Sequence, residues 1–518
     1  VPVKRSALLQ ALVFVAGASS LAVEMCASRL LAPYFGDSQL VWAVLIGLIL
    51  LYLTVGAMLG GRWADRRPQP AALAQVVIWA GAWVGLVPVL ARPVLGVAAA
   101  GWAGLQVGLL AGAFIGALAL FAPPVLLLGA VSPYAVRVAI AAVDDAGRTA
   151  GQISALAAAG SIVGTLAPVF LLIPLVGTRR TLLAIGLGLV LLGGAARWAW
   201  ERRGAWLTAG LIASLAAAWW LSAGGAVRAA ADLVYEGESS YNYIRVEQAG
   251  SETHLLLNDG LGLHSIYDPG AILTGHLFDY FLLAPHCAAQ PAERPQPRLA
   301  IIGLAGGTVA RQYTAVYGPV PIDGVELDPA IIDVARRYFG LDQPNVRAVA
   351  QDGRYFLAHS AERYDVVAVD AYRPPYIPFH LTTREFFAEV RAHLTDDGVL
   401  AINVGHTGAD RALSEALADT VHAVFPSVYL IDAPEDYNDL LVATAQPTDV
   451  DTVRAHLRAL RDPTLASVAA RVVDRIEPWP TQRAVFTDDR APVEQTVHGM
   501  IARYAMAWLR GQAEEYQP

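Results

Sequence analysis

Charge is what this chain has least of. Of its 518 residues only 16% are Asp, Glu, Lys or Arg, while 55% are hydrophobic, a balance too apolar for an ordinary soluble protein. The net charge of −8 and the lack of a basic stripe speak against nucleic acid as a partner, because phosphate backbones need a concentrated positive surface. Cysteine is nearly absent as well. Cys26 sits in an apolar run and Cys287 in the second half, two in all. Without CxxC or Cys/His ligand spacing, neither a disulfide framework nor a structural zinc is expected.

The apolar residues are spread unevenly. Up to about Ser222 charges are sparse, whereas from Asp232 onward they are spaced as in a globular domain. Two domains joined near "SAGGAVRAAADL" follow: a membrane domain over 1–225 and a soluble half divided into 232–290 and 291–518. A helix needs about 20 apolar residues to cross the hydrocarbon core. Windows of that kind fall near 7–32, 39–60, 71–97, 103–132, 150–175, 179–199 and 204–222. The first is too long for a cleaved signal peptide and contains Glu24 and Arg29. Gly56, Gly60 and Gly61 in "GAMLGG" suit close helix packing in lipid. Glu24 and Arg29 would be costly there and are expected to neutralise each other or a residue such as Asp65.

Orientation is contested within the sequence. With seven spans, roughly ten Lys and Arg fall on the side of the N-terminal tail against roughly five on the other, which by the positive-inside rule puts the second domain outside. A cytosolic substrate would demand the opposite. An eighth crossing, with the 103–132 window continuing past Pro123-Pro124 as two spans ending near Ile140, would reconcile them. The expectation is an integral protein of a bacterial-type inner or plasma membrane with its catalytic domain in the cytoplasm.

The soluble half opens with strand-like alternation in "YNYIRVEQAG" and "THLLLND", a small β-hairpin subdomain. From Arg298 the pattern becomes α/β: "RLAIIG", "VPIDGVEL", "NVRAVAQ", "YDVVAVD", "GVLAINV" and "SVYLID" read as strands, with helices over 329–338, 383–394 and 410–424 between them. The fold class is thus a multi-pass α-helical membrane domain followed by an α/β Rossmann-like domain with a doubly wound parallel sheet. "IIGLAGGTVA" joins the first of these strands to a helix, so its glycines would let the backbone approach a ligand. Ala305 and Thr308 stand where the dinucleotide fingerprint needs glycine, which disfavours NAD. Glu326, Asp352-Gly353 and Asp370 end the next three strands and would converge on one crevice. A carboxylate at the second strand end can accept from ribose hydroxyls and one at the third from an adenine amino group, defining an adenosyl pocket. The plainer readings are helix caps for Glu326 and Asp352 and a turn former for Asp370.

From Glu238 to Glu494 the sequence resembles the spermidine synthase family of polyamine aminopropyltransferases, in the form that carries hydrophobic helices ahead of the synthase domain. "ESSYNYIRV", "LLLNDG", "TGHLFDYFLLAP", "VELDP", "QDGRYFL", "DAYRPPYIPFHLTTREFF" and "FTDDRAPVE" carry the likeness, as do "FVAGASSLAVEMCASRLLAPYFG" and "GGRWADR" in the first half. The resemblance implies binding of decarboxylated S-adenosylmethionine and attack by an amine on the carbon next to the sulfonium, releasing 5′-methylthioadenosine. It places Asp370, Tyr372 and Arg373 at the chemistry, and Gly303, Gly306, Gly307, Glu326, Asp352, Gly353, Asp259 and Tyr241 around the nucleoside. Glu326 would hold the ribose, Asp352 the adenine, and Asp370 would be the base. No metal and no cofactor beyond the substrate are implied. The expected partners are a small sulfonium nucleoside and the lipid bilayer, with a homo-oligomer left open.

Two positions depart from the family. Its glycine-rich turn carries an Asp where Gly306 stands, and "DAYRP" puts Arg373 where the family has a second, amine-binding Asp. Arg373 would repel a diamine but would pair with a carboxylate. On these two residues the preferred reading is an S-adenosylmethionine-consuming cyclase: the substrate's own carboxylate attacks its γ-carbon, releasing methylthioadenosine and a homoserine-lactone-type product, with the intramolecular geometry supplying much of the acceleration. Spermidine synthesis is the alternative. A methyltransferase and an adenosyl-ligand sensor coupled to the helices are further ones.

Overall fold

The computed structural model describes residues 3–35, 39–100, 106–140, 146–202, 204–221, 232–258, 262–291, 296–372, 376–408, 410–433, 435–481 and 483–509. Contacts divide the chain into two units, Val1–Ala230 with Glu236–Tyr243, and Ala231–Tyr235 with Ile244–Pro518.

The first unit is helical: α1 (Val3–Phe35), α2 (Gln39–Arg66), α3 (Pro70–Ala100), α4 (Gln106–Ala139), α5 (Ala146–Ala167), α6 (Ile173–Glu201) and α7 (Ala205–Leu221). Among the described residues five stretches are long and apolar enough to cross a membrane: Ser6–Phe35, Val41–Arg66, Pro70–Ala98, Phe114–Ala139 and the run Ala146–Glu201. α7 is apolar but shorter. Every window read from the sequence coincides with a helix, but those at 150–175 and 179–199 belong to one run. α5 passes through the π-turn Pro168–Leu172 into α6, and the helical path breaks at Gly177, φ +79°. Glu238, counted with this unit, accepts the amide and the hydroxyl of Thr178 just past that break, at 2.9 and 2.5 Å.

The two-span version of 103–140 does not form. α4 is a single helix through Pro123, Pro124 and Pro133, since proline removes only a local amide bond that packed neighbours can make good in an apolar setting. α2 packs closely on α4. A Cβ on Gly56 or Gly60 would lie 2.2 Å from the Leu126 carbonyl or 2.4 Å from that of Ala130, whereas Gly61 faces open space. The expected charge pairings differ too. Asp65 pairs with Arg137 at 3.2 Å, both largely exposed, and Arg29 donates to the carbonyls of Ser239 and Ser240.

After the helices comes a small antiparallel sheet of four strands in sequential order, β1 (Leu233–Glu238), β2 (Tyr243–Ala249), β3 (Glu252–Leu257) and β4 (Leu263–Tyr267). The 3₁₀ segment Leu277–Cys287 leads into the main domain. There β5 (Leu299–Ile302), α8 (Thr308–Tyr317), β6 (Ile322–Glu326), α9 (Pro329–Tyr338), β7 (Val346–Ala350), α10 (Gly353–His359), β8 (Tyr364–Val369), α11 (Arg384–His393) and β9 (Leu394–Gly405) alternate. They are followed by α12 (Ala412–His422), β10 (Ser427–Ala433), β11 (Asn438–Thr444), α13 (Val450–Arg458), α14 (Pro463–Val472), β12 (Ile476–Pro478) and α15 (Val493–Leu509).

The sheet order is β12-β10-β11-β9-β8-β5-β6-β7. β5 to β9 are parallel, and β10, β11 and β12 are added antiparallel. The chain moves outward from β5 through β6 to β7 and then returns to the other side of β5 as β8, which opens a crevice beyond the carboxyl ends of β5 and β8. Alternation along the strands builds two cores. Leu299, Ile301, Val366, Ala368, Val399 and Ala401 join the cluster with the 3₁₀ segment, α8, α13 and α14. Ala300, Ile302, Val367, Val369, Leu400 and Ile402 join the one with α11, α12 and α15. Helix starts are capped by side chains that accept first-turn amides: Asp328 for α9, Thr383 for α11, Asp449 for α13 and Asp462 for α14.

Candidate active site

The glycine-rich turn after β5 is held almost wholly by its own surroundings. The amides of Gly303 and Leu304 donate to the Val325 carbonyl at 2.9 and 3.0 Å, and that of Gly307 to Leu304 at 2.9 Å. Ala305 donates to the Glu326 carboxylate at 3.0 Å. Gly306 donates to the Ser265 hydroxyl at 2.8 Å. From 303 to 307 every backbone N–H is therefore taken. The turn forms no phosphate cradle, and it brings an acid, Glu326, against its own backbone.

Each glycine has a steric reason. Gly303 has φ +94°, and a Cβ on it would stand 2.3 Å from the Asp370 carbonyl. Gly307 caps α8 at φ +85°. A Cβ on Gly306 would meet the Ser265 side chain at 2.7 Å and Phe339 at 3.0 Å. The room that an Asp would need at 306 is filled by β4, so Gly306 marks close packing of β4 on the turn rather than a widened pocket. Gly353 is excluded from carrying a side chain by Ile302, 2.3 Å from its would-be Cβ.

Glu326 ends β6 nearly buried, 9% exposed. One carboxylate oxygen takes Ala305 N–H and the other Asp328 N–H at 3.2 Å. Burial pushes its pKa up to about 7, against the pull of those two amides. The capping role weighed for it does not arise, because Asp328 caps α9 by accepting from Ala330. Asp352 does cap: one oxygen accepts Tyr355 N–H at 2.9 Å, and the other meets His380 Nε2 at 2.9 Å. It is half exposed at the crevice side of β7, so capping and ligand contact are compatible.

Asp370 follows β8. Its amide donates to Ile302 at 2.8 Å, and its Oδ1 accepts Asn403 Nδ2 at 2.8 Å. Burial raises its pKa to about 6, with the Asn403 donor opposing. A carboxylate poised there is suited to proton transfer near neutral pH. Tyr372 is a bridge: its hydroxyl donates to the Asn403 carbonyl at 3.3 Å and accepts Gly405 N–H at 2.5 Å, and burial holds the phenol well above its usual pKa. That ties the segment after β8 to the end of β9.

The structure thus gathers Gly303, Gly306, Gly307, Glu326, Asp352, Gly353, Asp370 and Tyr372 along the carboxyl edge of β5 to β8. Arg373 and Asp259 lie outside the described residues. Tyr241 belongs to the helical unit, 42% exposed, its amide donating to Ser239 Oγ at 3.0 Å. Sequence reasoning missed Ser265, His380, Asn403 and Asn438. Asn403 had a signal, the one amide side chain interrupting the apolar run "VLAINVG"; the others had none that pointed to the site.

A family description matches here, the spermine/spermidine synthase domain, over residues 285–444. Stretches of this chain are similar to a probable polyamine aminopropyl transferase of Bifidobacterium longum, 35% identical over 291 residues, covering 52% of this chain and 63% of that protein. They are also similar to a polyamine aminopropyltransferase of Vibrio vulnificus, 34% identical over 154 residues, covering 29% and 50%. The chain thus spans less than two thirds of either relative. Among solved structures a probable spermidine synthase from Corynebacterium glutamicum aligns over 55% of this chain and 96% of its own, with a TM-score of 0.39 and 16% identity.

Proposed function

We propose that the crevice binds decarboxylated S-adenosylmethionine and transfers its aminopropyl group to an amine acceptor such as putrescine. The reading is supported most by Asp370, a half-buried carboxylate at the switch point with a pKa raised to about 6, within the stretch that matches the synthase domain. The amine nitrogen attacks the carbon next to sulfur, the carbon–sulfur bond breaks with its electron pair passing to sulfur, and methylthioadenosine leaves. Asp370 takes the proton from the amine and steadies the sulfonium before attack. Glu326 accepts the ribose hydroxyls through the lone pairs its two backbone donors leave free, and Asp352 faces the adenine. The sulfonium is itself an activated leaving group, so the chemistry is complete without a metal or further cofactor. The helices hold the enzyme in the bilayer with the synthase domain on the cytoplasmic side, where its substrates are made.

Cyclisation of S-adenosylmethionine rested on Gly306 and Arg373. Gly306 is accounted for by Ser265, which leaves that reading the weaker one. Purified full-length protein given decarboxylated S-adenosylmethionine and putrescine should yield methylthioadenosine and spermidine in equal amounts. Methylthioadenosine formed from S-adenosylmethionine alone, with no amine added, would overturn aminopropyl transfer in favour of cyclisation.

A further inference from the structure

Asn403 stands on β9, one residue past the pair Val369 and Ile402 where β8 and β9 lie in register. Its side chain is 8% exposed and both ends are engaged. Nδ2 donates to Asp370 Oδ1 at 2.8 Å, and Oδ1 accepts from Asn438 Nδ2 at 2.5 Å. Asn438 begins β11 opposite Gly405. An ionised carboxylate only accepts, so the amide of Asn403 must present its nitrogen to Asp370. A donor on the far side then makes that orientation the only one with no oxygen facing oxygen. Asn438 supplies it.

We infer that Asn403 is a positioning residue for Asp370, and that Asn438 acts through Asn403 by fixing which way its amide faces. The pair commits Oδ1 of Asp370 to the protein and leaves Oδ2, which among the described residues has no hydrogen-bond partner, as the oxygen that meets the amine. Tyr372 makes the same geometry rigid by tying Gly405 and the Asn403 carbonyl to the segment that Asp370 begins. Among the described residues the groups facing Asp370 are the Gly303 backbone just after β5, Asn403 from β9 and the neutral Tyr372. Asp439 on β11 acts on Tyr372, not directly on Asp370. Among the described residues no charged side chain forms an ion pair with Asp370, so the amide of Asn403 is the main group opposing its desolvation.

The catalytic side of this inference rests on the proposed transfer, but the positioning itself can be read without turnover. The carboxyl titration of Asp370 is followed by infrared difference between each protein and its Asp370→Asn counterpart, with a midpoint near 6 expected for the native chain. In Asn403→Leu, with the donor gone, the midpoint should move up by about one pH unit. In Asn438→Leu, where the donor stays but is free to turn, it should move the same way by less. If the transfer reading holds, turnover in Asn403→Leu should fall by about 10- to 100-fold while KM for the sulfonium changes less than about twofold, because the interaction belongs to the transition state. A midpoint that shifts in Asn403→Leu, while the native chain makes no methylthioadenosine from either sulfonium, would sink the proposed function and leave the positioning role standing. An unmoved midpoint in Asn403→Leu would overturn the positioning role. Should that variant fail to fold, an unmoved midpoint in Asn438→Leu would overturn it equally.

Discussion

The carbonyl oxygen of Asp370 occupies the space where a side chain at position 303 would begin, 2.3 Å from the Cβ that Gly303 lacks. The turn after β5 and the acid after β8 are thus in contact through backbone alone. Gly303→Ala would have to hold φ +94° and displace Asp370 together. A left-handed alanine alone costs about 1–3 kcal/mol. The variant should unfold at lower temperature, and the protein that remains folded should bind methylthioadenosine poorly and turn over less still. Native turnover in Gly303→Ala would show that the contact is slack.

Glu326→Gln keeps the shape of the acid that ends β6, proposed to hold the ribose, and removes its charge. Adenosyl affinity should fall by roughly 1.5–3 kcal/mol, the range for hydrogen bonds to charged groups. The native protein should also bind methylthioadenosine more weakly as pH drops below about 7, the value to which burial lifts Glu326. The sign follows from the ionised form being the one that accepts from the hydroxyls: below that pH binding must expel a proton, at a cost approaching about tenfold per pH unit. Calorimetry across pH 5 to 8 checks both, and Glu326→Gln should give a flat profile.

For Asp370→Asn the loss should lie in turnover. A general base typically contributes about 10²–10⁴-fold, while methylthioadenosine, which bears no positive charge, should bind within a few fold of native. In the native enzyme the rate should fall on the acid side of about pH 6, where Asp370 takes up its proton, and rise toward alkaline pH as the amine loses its own. A profile that is flat from pH 6 upward under conditions where chemistry limits the rate would argue for an ionised carboxylate, not an amine, as the nucleophile.

The packing account of Gly306 can be separated from the pocket account. Gly306→Ala should destabilise the domain by about 1–3 kcal/mol, the usual cost of overpacking, and Ser265→Gly in the same chain should recover part of it by removing the nearest atoms, 2.7 and 2.9 Å away. Neither change should alter the choice between the two sulfonium substrates. A switch in that choice with stability unchanged would restore Gly306 to a role in specificity.

The sequence placed the helices and the parallel strands because both rest on local apolar patterning: the windows from 7 to 222 each fall on a helix, and the runs from "RLAIIG" to "GVLAINV" each fall on a strand. It did not yield β11 and β12. The first, "NDLLVAT", follows β10 after a short loop and reads equally as a helix start, and the second is only Ile476–Pro478; their strand state comes from pairing with β9 and β10. At the site, Glu326 and Asp370 were legible because an acid at a strand end is a one-dimensional signal. Ser265 and Asn438 were not, since each acts on a residue 41 or 35 positions away through a register that only the folded sheet supplies. The prolines of α4 misled for a related reason: a rule about isolated helices was applied to one whose neighbours hold it.

The fully occupied amides of the turn from 303 to 307 bear on competition inside a cell. Adenine nucleotides far outnumber sulfonium nucleosides there, and they offer the same base and ribose. A site that spent its backbone donors on phosphate would be filled by them for most of its life. This turn has no donor left to offer an anion, and the carboxylate beside it repels one. ATP and NAD should therefore be poor competitors for methylthioadenosine even in large excess, so discrimination against abundant look-alikes is built into the backbone of the turn itself.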